Sequence, residues 1–172
     1  MKAAAYLLFA LTFIACISSC QKGSVIEYDF TQITFTDSSG TVFETDTTDW
    51  TYDNNWTGGE YKLVSFKDSL KSTDSMPGYV QISPPFPNPG NGFLLMGVDV
   101  ERACKMKMVV VDKNFRILYY KSRLFTGGAI LTVHDLSNLT ALDKGNYYRM
   151  YYGFFTSKDS LFYKGHGDLL IQ

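Results

Sequence analysis

The chain carries few side chains suited to acid–base or nucleophilic catalysis. Its only imidazoles belong to His134 and His166. His134 and Asp135 have the composition of a general base and its orienting carboxylate, but neighbouring residues of a strand project to opposite faces. His166 stands between Gly165 and Gly167, which is typical of a bulge or a close backbone approach. No G-x-S-x-G segment marks a nucleophile, and no H-E-x-x-H, C-x-x-C, phosphate-loop or dinucleotide motif occurs. The sequence therefore predicts a protein that is not an enzyme and has no cofactor.

One acidic stretch offers oxygen ligands of the kind that Ca²⁺ prefers. Asp46, Asp49, Asp53 and Asn54 follow one another closely. Their spacing does not match the ligand pattern of an EF-hand loop. We therefore favour a polar loop and predict no metal site.

The same stretch, residues 45–59, is polar except for Trp50, Tyr52 and Trp56. Flat aromatic faces stack on sugars and fill pockets at protein interfaces, so these three rings are the best candidate for a binding site. The alternative is that they fasten a long loop to the rest of the fold, and we favour this alternative.

A recurrent triplet, D-[ST]-[AILVMT], resembles the O-glycosylation motif of exported Bacteroidetes proteins. Its candidate acceptors are Thr47, Ser69, Ser75 and Ser160. Asp-Ser and Asp-Thr pairs also favour turns for purely local reasons, so the pattern is open to both interpretations.

Composition excludes two classes of protein. Lys and Arg number 16 against 17 Asp and Glu, which gives a formal net charge of −1. Nucleic-acid binding depends on a basic excess that is missing here. Hydrophobic residues make up 45% of the chain and aromatic residues 16%, which argues against disorder. A length of 172 residues suits a single domain with a small extension.

The N-terminus has the features of an export signal. Lys2 precedes an apolar run, and Ile17-Ser18-Ser19-Cys20 resembles a bacterial lipobox. We predict a signal peptide over residues 1–19, lipidation of Cys20 and a tether over residues 20–25. The alternative is an ordinary secreted protein with an unlipidated cysteine. Gln21, rather than Asp, follows Cys20, and this favours localisation in the outer membrane, on either of its faces. Cys104, the remaining cysteine, is expected to be a buried apolar residue.

The remaining chain has the periodicity of strands. Apolar and polar residues alternate from Ile26 onward, and we predict a β-rich N-terminal segment over residues 26–82 that includes a strand at Tyr61–Phe66. Proline cannot stand inside a central strand, so the proline cluster of residues 84–89 marks a boundary near Ser83. Beyond it, short strands separated by turns predict an immunoglobulin-like β-sandwich over residues 83–172. The fold class is therefore all-β.

Residues 82–172 also resemble a family. Phe86-Pro87-Asn88-Pro89-Gly90, the hairpin VVVDKNFRILYY and the closing strand from Gly145 resemble the FlgD-like immunoglobulin-like domain. The resemblance implies a β-sandwich, and related modules serve as C-terminal sorting domains of type IX secretion in Bacteroidetes. Asn114-Phe115 stands where the family has glycine in the hairpin, so we expect a different turn type there.

Together these observations predict a non-catalytic, lipid-anchored cell-envelope protein that acts as a structural or adaptor module. Its expected partners are the membrane, through the lipid, and an unidentified envelope protein, with no nucleic acid. The alternative is a carbohydrate-binding accessory lipoprotein that uses the loop of Trp50, Tyr52 and Trp56 and takes a glycan as its partner. A small hydrolase is a distant third.

Overall fold

The computed structural model describes Phe30 and residues 33–172. The predicted signal peptide, the tether, Cys20 and the strand expected to begin at Ile26 lie outside the described residues, apart from Phe30. Within the described part of the chain, no helix is long and apolar enough to cross a membrane.

Two antiparallel sheets form a sandwich, and this confirms the predicted all-β, immunoglobulin-like class. The small sheet has the order β3-β4-β7 and the large sheet the order β6-β5-β8-β9. The strands of the small sheet are β3 (Val80–Ile82), β4 (Phe93–Val100) and β7 (Gly128–Asp135). Those of the large sheet are β5 (Cys104–Val111), β6 (Ile117–Phe125), β8 (Tyr147–Phe155) and β9 (Leu161–Leu170).

The main core lies between the two sheets. On β4 the alternation of buried and less buried residues directs Leu94, Met96 and Val98 inward, as the period of two of a strand requires. They meet the methionines of β5, the aromatic residues of β8 and the thiol of Cys104. Burial raises the pKa of that thiol to about 11, so Cys104 is the inert core residue that was predicted.

A second core covers the outer face of the large sheet. Phe30, Trp56, Leu63 and Val64 of the N-terminal segment pack with residues of β5 and β8, namely Val109, Val111, Tyr151 and Phe155. This explains why β8, YYRMYYGFF, is apolar on both faces: one face meets the small sheet and the other meets the N-terminal segment.

The N-terminal segment is less regular than predicted. Besides β3, which joins the small sheet, its described strands are β1 (Phe35–Thr36) and β2 (Val42–Glu44). The predicted strand at Tyr61–Phe66 is wrong, because the chain forms a helix, α1 (Gly58–Leu63), instead. Thr57 accepts a hydrogen bond from the backbone of Glu60, and the Glu60 carboxylate accepts one from Thr57 in return, so a capping box outweighs the apolar run that resembled a strand.

The hairpin between β5 and β6 places a non-glycine residue in the left-handed region. Phe115 adopts a φ of +62°, the left-handed region that usually takes glycine. The Asp112 carboxylate accepts hydrogen bonds from the backbone of Asn114 and Arg116, and the Phe115 ring packs 5.8 Å from that of Tyr151. These contacts hold a residue in a conformation that it would otherwise avoid.

Candidate functional site

The loop that holds the candidate aromatic residues runs along the outer edge of β9. The Trp50 amide donates to the carbonyl of His166 over 2.7 Å, and the Asp53 amide donates to that of Lys164 over 2.9 Å. Asp168 donates its backbone N–H to Asp49 Oδ1 over 3.1 Å. An exposed strand edge invites pairing with another chain, so this loop closes one edge of the large sheet.

Asn88, in the middle of the proline cluster, completes that closure. It is fully buried, and its side chain donates to the carbonyls of Thr34 and Asp168 and accepts from the amide of Leu170. In the sequence this segment marks a boundary and supplies one motif of the family resemblance. Flanking prolines fix the backbone but give no sign that the amide between them is buried, and no sequence signal at Asn88 points to these contacts.

The ring of Trp50 is part of the main core. It is 4% exposed and stacks on Tyr152 with 6.2 Å between ring centroids. It lies directly over Gly167, where a Cβ atom would have no room, and the carbonyl of Thr51 approaches Gly165 in the same way. The close backbone approach predicted around His166 is therefore confirmed, and the approaching group is this loop.

The other two aromatic residues differ in exposure. Trp56 is 6% exposed and packs edge-on against Tyr151. Tyr52 is 48% exposed and lies against Tyr163 and beneath Lys164. Both indole rings therefore fasten the loop to the sandwich, and only Tyr52 offers a face to a ligand.

The two histidines do not come together. His134 lies on β7 with its side chain in the interior, while its neighbour Asp135 is exposed on the opposite face. Thr132 donates its hydroxyl to the carbonyl of Met96, so His134 Nε2 must be the donor in its 2.8 Å contact with Thr132 Oγ1. Burial, with help from Lys121 and Arg123, lowers the pKa of His134 to about 4, so the ring is neutral near pH 7.

His166 lies on the large sheet and faces the N-terminal segment. Its Nδ1 is 3.2 Å from Asp53 Oδ2, and its ring packs 5.8 Å from that of Tyr151. Burial and the nearby Arg149 lower its pKa, although Asp53 opposes them. Within the described residues no group of His, Cys, Asp and Glu side chains could hold a metal ion.

A buried ion pair lies beside this histidine. Arg149 donates from Nε and a terminal nitrogen to both carboxylate oxygens of Asp168, over 2.6 and 2.7 Å. Its guanidinium also lies 4.5 Å from the ring of Phe30.

Burial, and after it the charge of Asp168, raises the pKa of Asp49 to about 8. The acidic stretch considered for Ca²⁺ therefore directs one of its carboxyls into the protein interior, where it binds backbone groups.

Asp49→Asn is expected to flatten the pH dependence of stability. The folded chain holds a proton on Asp49 up to about pH 8, whereas the unfolded chain loses it near pH 4. The free energy of unfolding therefore falls as the pH rises through that interval, by on the order of 1 kcal/mol per pH unit, and the variant should lose this contribution. Urea unfolding of both proteins at pH 5, 6, 7 and 8 measures the difference, and parallel curves would contradict the assignment.

The four candidate glycosylation residues, Thr47, Ser69, Ser75 and Ser160, are all exposed. In three of the triplets the Asp carboxylate accepts a hydrogen bond from the backbone two residues on, at Thr48, Leu70 and Met76. These are the local turns that Asp-Ser and Asp-Thr favour, so turn formation alone accounts for these three triplets.

The outer face of the small sheet is the surface that the sequence analysis missed. Phe93, Leu131 and Val133 are 44, 52 and 45% exposed, and the strand register places them on one face with the partly buried Leu95. Beside them lies an open depression of about 420 Å³ over Gly97, bordered by Gln81, Ser83 and Asp99. The available signal was β7 itself, GAILTVHD, whose outward row contains the apolar residues Ala129, Leu131 and Val133.

Comparison with known proteins assigns no family. No protein-family model matches the chain, and the comparison with curated proteins finds no match. Among solved structures, OgpA from Akkermansia muciniphila is similar over 63% of this chain and 32% of its own, with 13% identity and a TM-score of 0.41. A β-glucuronidase from glycoside hydrolase family 2 is similar over 55% of this chain and 11% of its own, with 14% identity and a TM-score of 0.32. The chain thus spans about a third and about a tenth of these two proteins.

Proposed function

We propose that the chain is a non-catalytic, lipid-anchored envelope protein, an adaptor that binds another envelope protein through the outer face of the small sheet. The observation that carries this proposal is the difference between the two sheets. The N-terminal segment covers the central strands of the large sheet, whereas Phe93, Leu131 and Val133 stay exposed on the small sheet. Apolar side chains clustered on one face favour association with another protein, because removing their surface from water lowers the free energy.

The charges on the large sheet support a structural role for that side. Lys105 Nζ lies 2.6 Å from Asp159, and Lys107 Nζ lies 3.2 Å from Asp68. Arg149 is held by Asp168. Each of these three cations fastens a loop or a neighbouring strand, so none of the three is available to bind an anionic substrate. The same is true of the imidazoles, which supports a non-catalytic protein.

The carbohydrate-binding alternative loses most of its support from the loop. Because Trp50 and Trp56 are buried, a sugar could stack only on Tyr52 without unfolding the loop. A glycan array probed with the wild-type protein and with Tyr52→Ala separates the two functions. Glycan binding that disappears in Tyr52→Ala would favour the alternative, and no binding by either protein agrees with the adaptor.

Cys20→Ser is expected to abolish lipidation and, with it, cleavage before residue 20, so that the chain keeps its signal peptide and carries no acyl mass. Several acyl chains on one residue hold a protein stably on a bilayer, at about 0.8 kcal/mol for each buried CH₂, and the variant lacks the thiol that receives them. Fractionation followed by intact-mass spectrometry tests this. A wild-type chain that begins elsewhere or carries no acyl mass would contradict the anchor.

The binding face is tested by charge substitution. Phe93→Glu should abolish cross-linking to the partner in native membranes, because a carboxylate at the contact is costly to bury. Phe43→Glu is the matched control, since Phe43 is 71% exposed on β2, which belongs to a separate two-stranded sheet. A partner that is captured equally by the wild type and by Phe93→Glu would overturn the proposed function.

A further inference from the structure

The two sheets differ by one strand, and the difference lies beside β7. The small sheet ends at β7, whereas the large sheet continues to β6 beyond β5. The two edges are close together, since Lys121 of β6 donates to the carbonyl of Val133 on β7 over 3.4 Å.

The backbone of β7 presents free hydrogen-bonding groups along this edge. Leu95 and Gly97 lie opposite Val133 and Leu131, but their own backbone groups bond to Phe86 and Ser83 on the other side of β4. The groups of Val133 and Leu131 must therefore point away from β4. Among the described residues, only the side chain of Lys121 reaches one of them.

Two cations border the same edge. Arg123 and Lys121 lie opposite Met106 and Met108, whose side chains are in the main core, so both cations project from the core-facing side of β6. Both are partly buried, and both lower the pKa of His134 on β7. Within the described part of the chain, neither forms an ion pair with an acidic side chain.

We propose that the edge of β7 binds an extended segment of the partner protein in which apolar and acidic side chains alternate. Such a strand would bond to the backbone of Leu131 and Val133. Because side chains alternate between faces, its apolar row would extend the outer face of the small sheet, and its acidic row would lie over Lys121 and Arg123.

Charge complementarity selects this occupant over a second copy of the chain. The core-facing row of β7 consists of Ile130, Thr132 and His134. A second β7 added to this edge would bring no carboxylate to the two cations. The inference rests on the proposed function and specifies the chemistry of its partner.

Synthetic peptides test the proposal with the full mature chain. A labelled ten-residue peptide of alternating Val and Glu should bind, as measured by fluorescence anisotropy. A peptide of alternating Val and Lys should bind at least tenfold more weakly. A Val-Glu peptide with N-methylated backbone should lose binding, since it cannot complete the ladder. Equal binding of the three peptides, or binding of none, would overturn the proposal.

The double variant Lys121→Glu/Arg123→Glu supplies the matched test. Both side chains are only partly buried, and circular dichroism checks that the fold is kept. The variant should prefer the Val-Lys peptide, and an unchanged preference for Val-Glu would overturn the proposal. If Phe93→Glu abolishes capture of the membrane partner and the double variant does not, the adaptor function stands and the acidic strand is wrong. If neither variant affects capture, both fail.

Discussion

Trp50→Ala is expected to lower the free energy of unfolding by about 3–5 kcal/mol, the usual cost of truncating a large buried aromatic residue. The ring fills the space over Gly167 and stacks on Tyr152. Its backbone amide also holds the edge of β9, so the cavity would open where the loop meets the large sheet.

The matched control for this prediction is Tyr52→Ala. Tyr52 lies two residues on in the same loop and is 48% exposed, so its removal should cost no more than about 1 kcal/mol. Urea unfolding followed by circular dichroism compares the two variants. Equal unfolding midpoints for Trp50→Ala and the wild type would show that the indole does not belong to the core, and would reopen the loop as a binding site.

Asp168→Ala is expected to destabilise the fold by about 3–5 kcal/mol, because it leaves the Arg149 guanidinium buried without its carboxylate. Asp168 accepts two short hydrogen bonds from Arg149 and is 1% exposed. One gain offsets part of the loss, since the charge of Asp168 also raises the pKa of Asp49, and its removal relieves that repulsion.

A second substitution separates the ion pair from general disruption of β9. Arg149→Met in the Asp168→Ala background removes the cation that has lost its carboxylate and keeps an apolar stem, so the double variant should recover more than half of the lost stability. Glu44→Ala, which removes an exposed carboxylate, should unfold like the wild type. A double variant that is no more stable than Asp168→Ala would contradict the account of the pair.

The sandwich could be predicted from the sequence because its strands follow simple rules. Short apolar runs separated by turns mark these strands, and the closing strand predicted from Gly145 onward is β8, which begins at Tyr147. The helix α1 was missed because Tyr61, Leu63 and Val64 also suit a strand. The signal that decides the matter is the capping pair of Thr57 and Glu60, which lies at the start of the segment.

The candidate site was less predictable, for a physical reason. An aromatic residue in a polar loop has the same sequence signature whether its ring enters the core or faces solvent. The burial of Trp50 depends on Gly167, which is distant in sequence, and on the way that the loop pairs with β9. The free edge of β7 depends on the order of strands in both sheets, which the periodicity of a single strand does not contain.

The central claim is that the outer face of the small sheet is a protein-binding surface. Site-specific photocross-linking in intact cells tests it most directly, with p-benzoylphenylalanine introduced at Leu131 and, as a control, at Phe43. Both positions are exposed, but only Leu131 is on the proposed face. The account predicts a discrete adduct with one envelope protein from position 131 and none from position 43. Adducts of equal yield from both positions, or none from position 131, would contradict it.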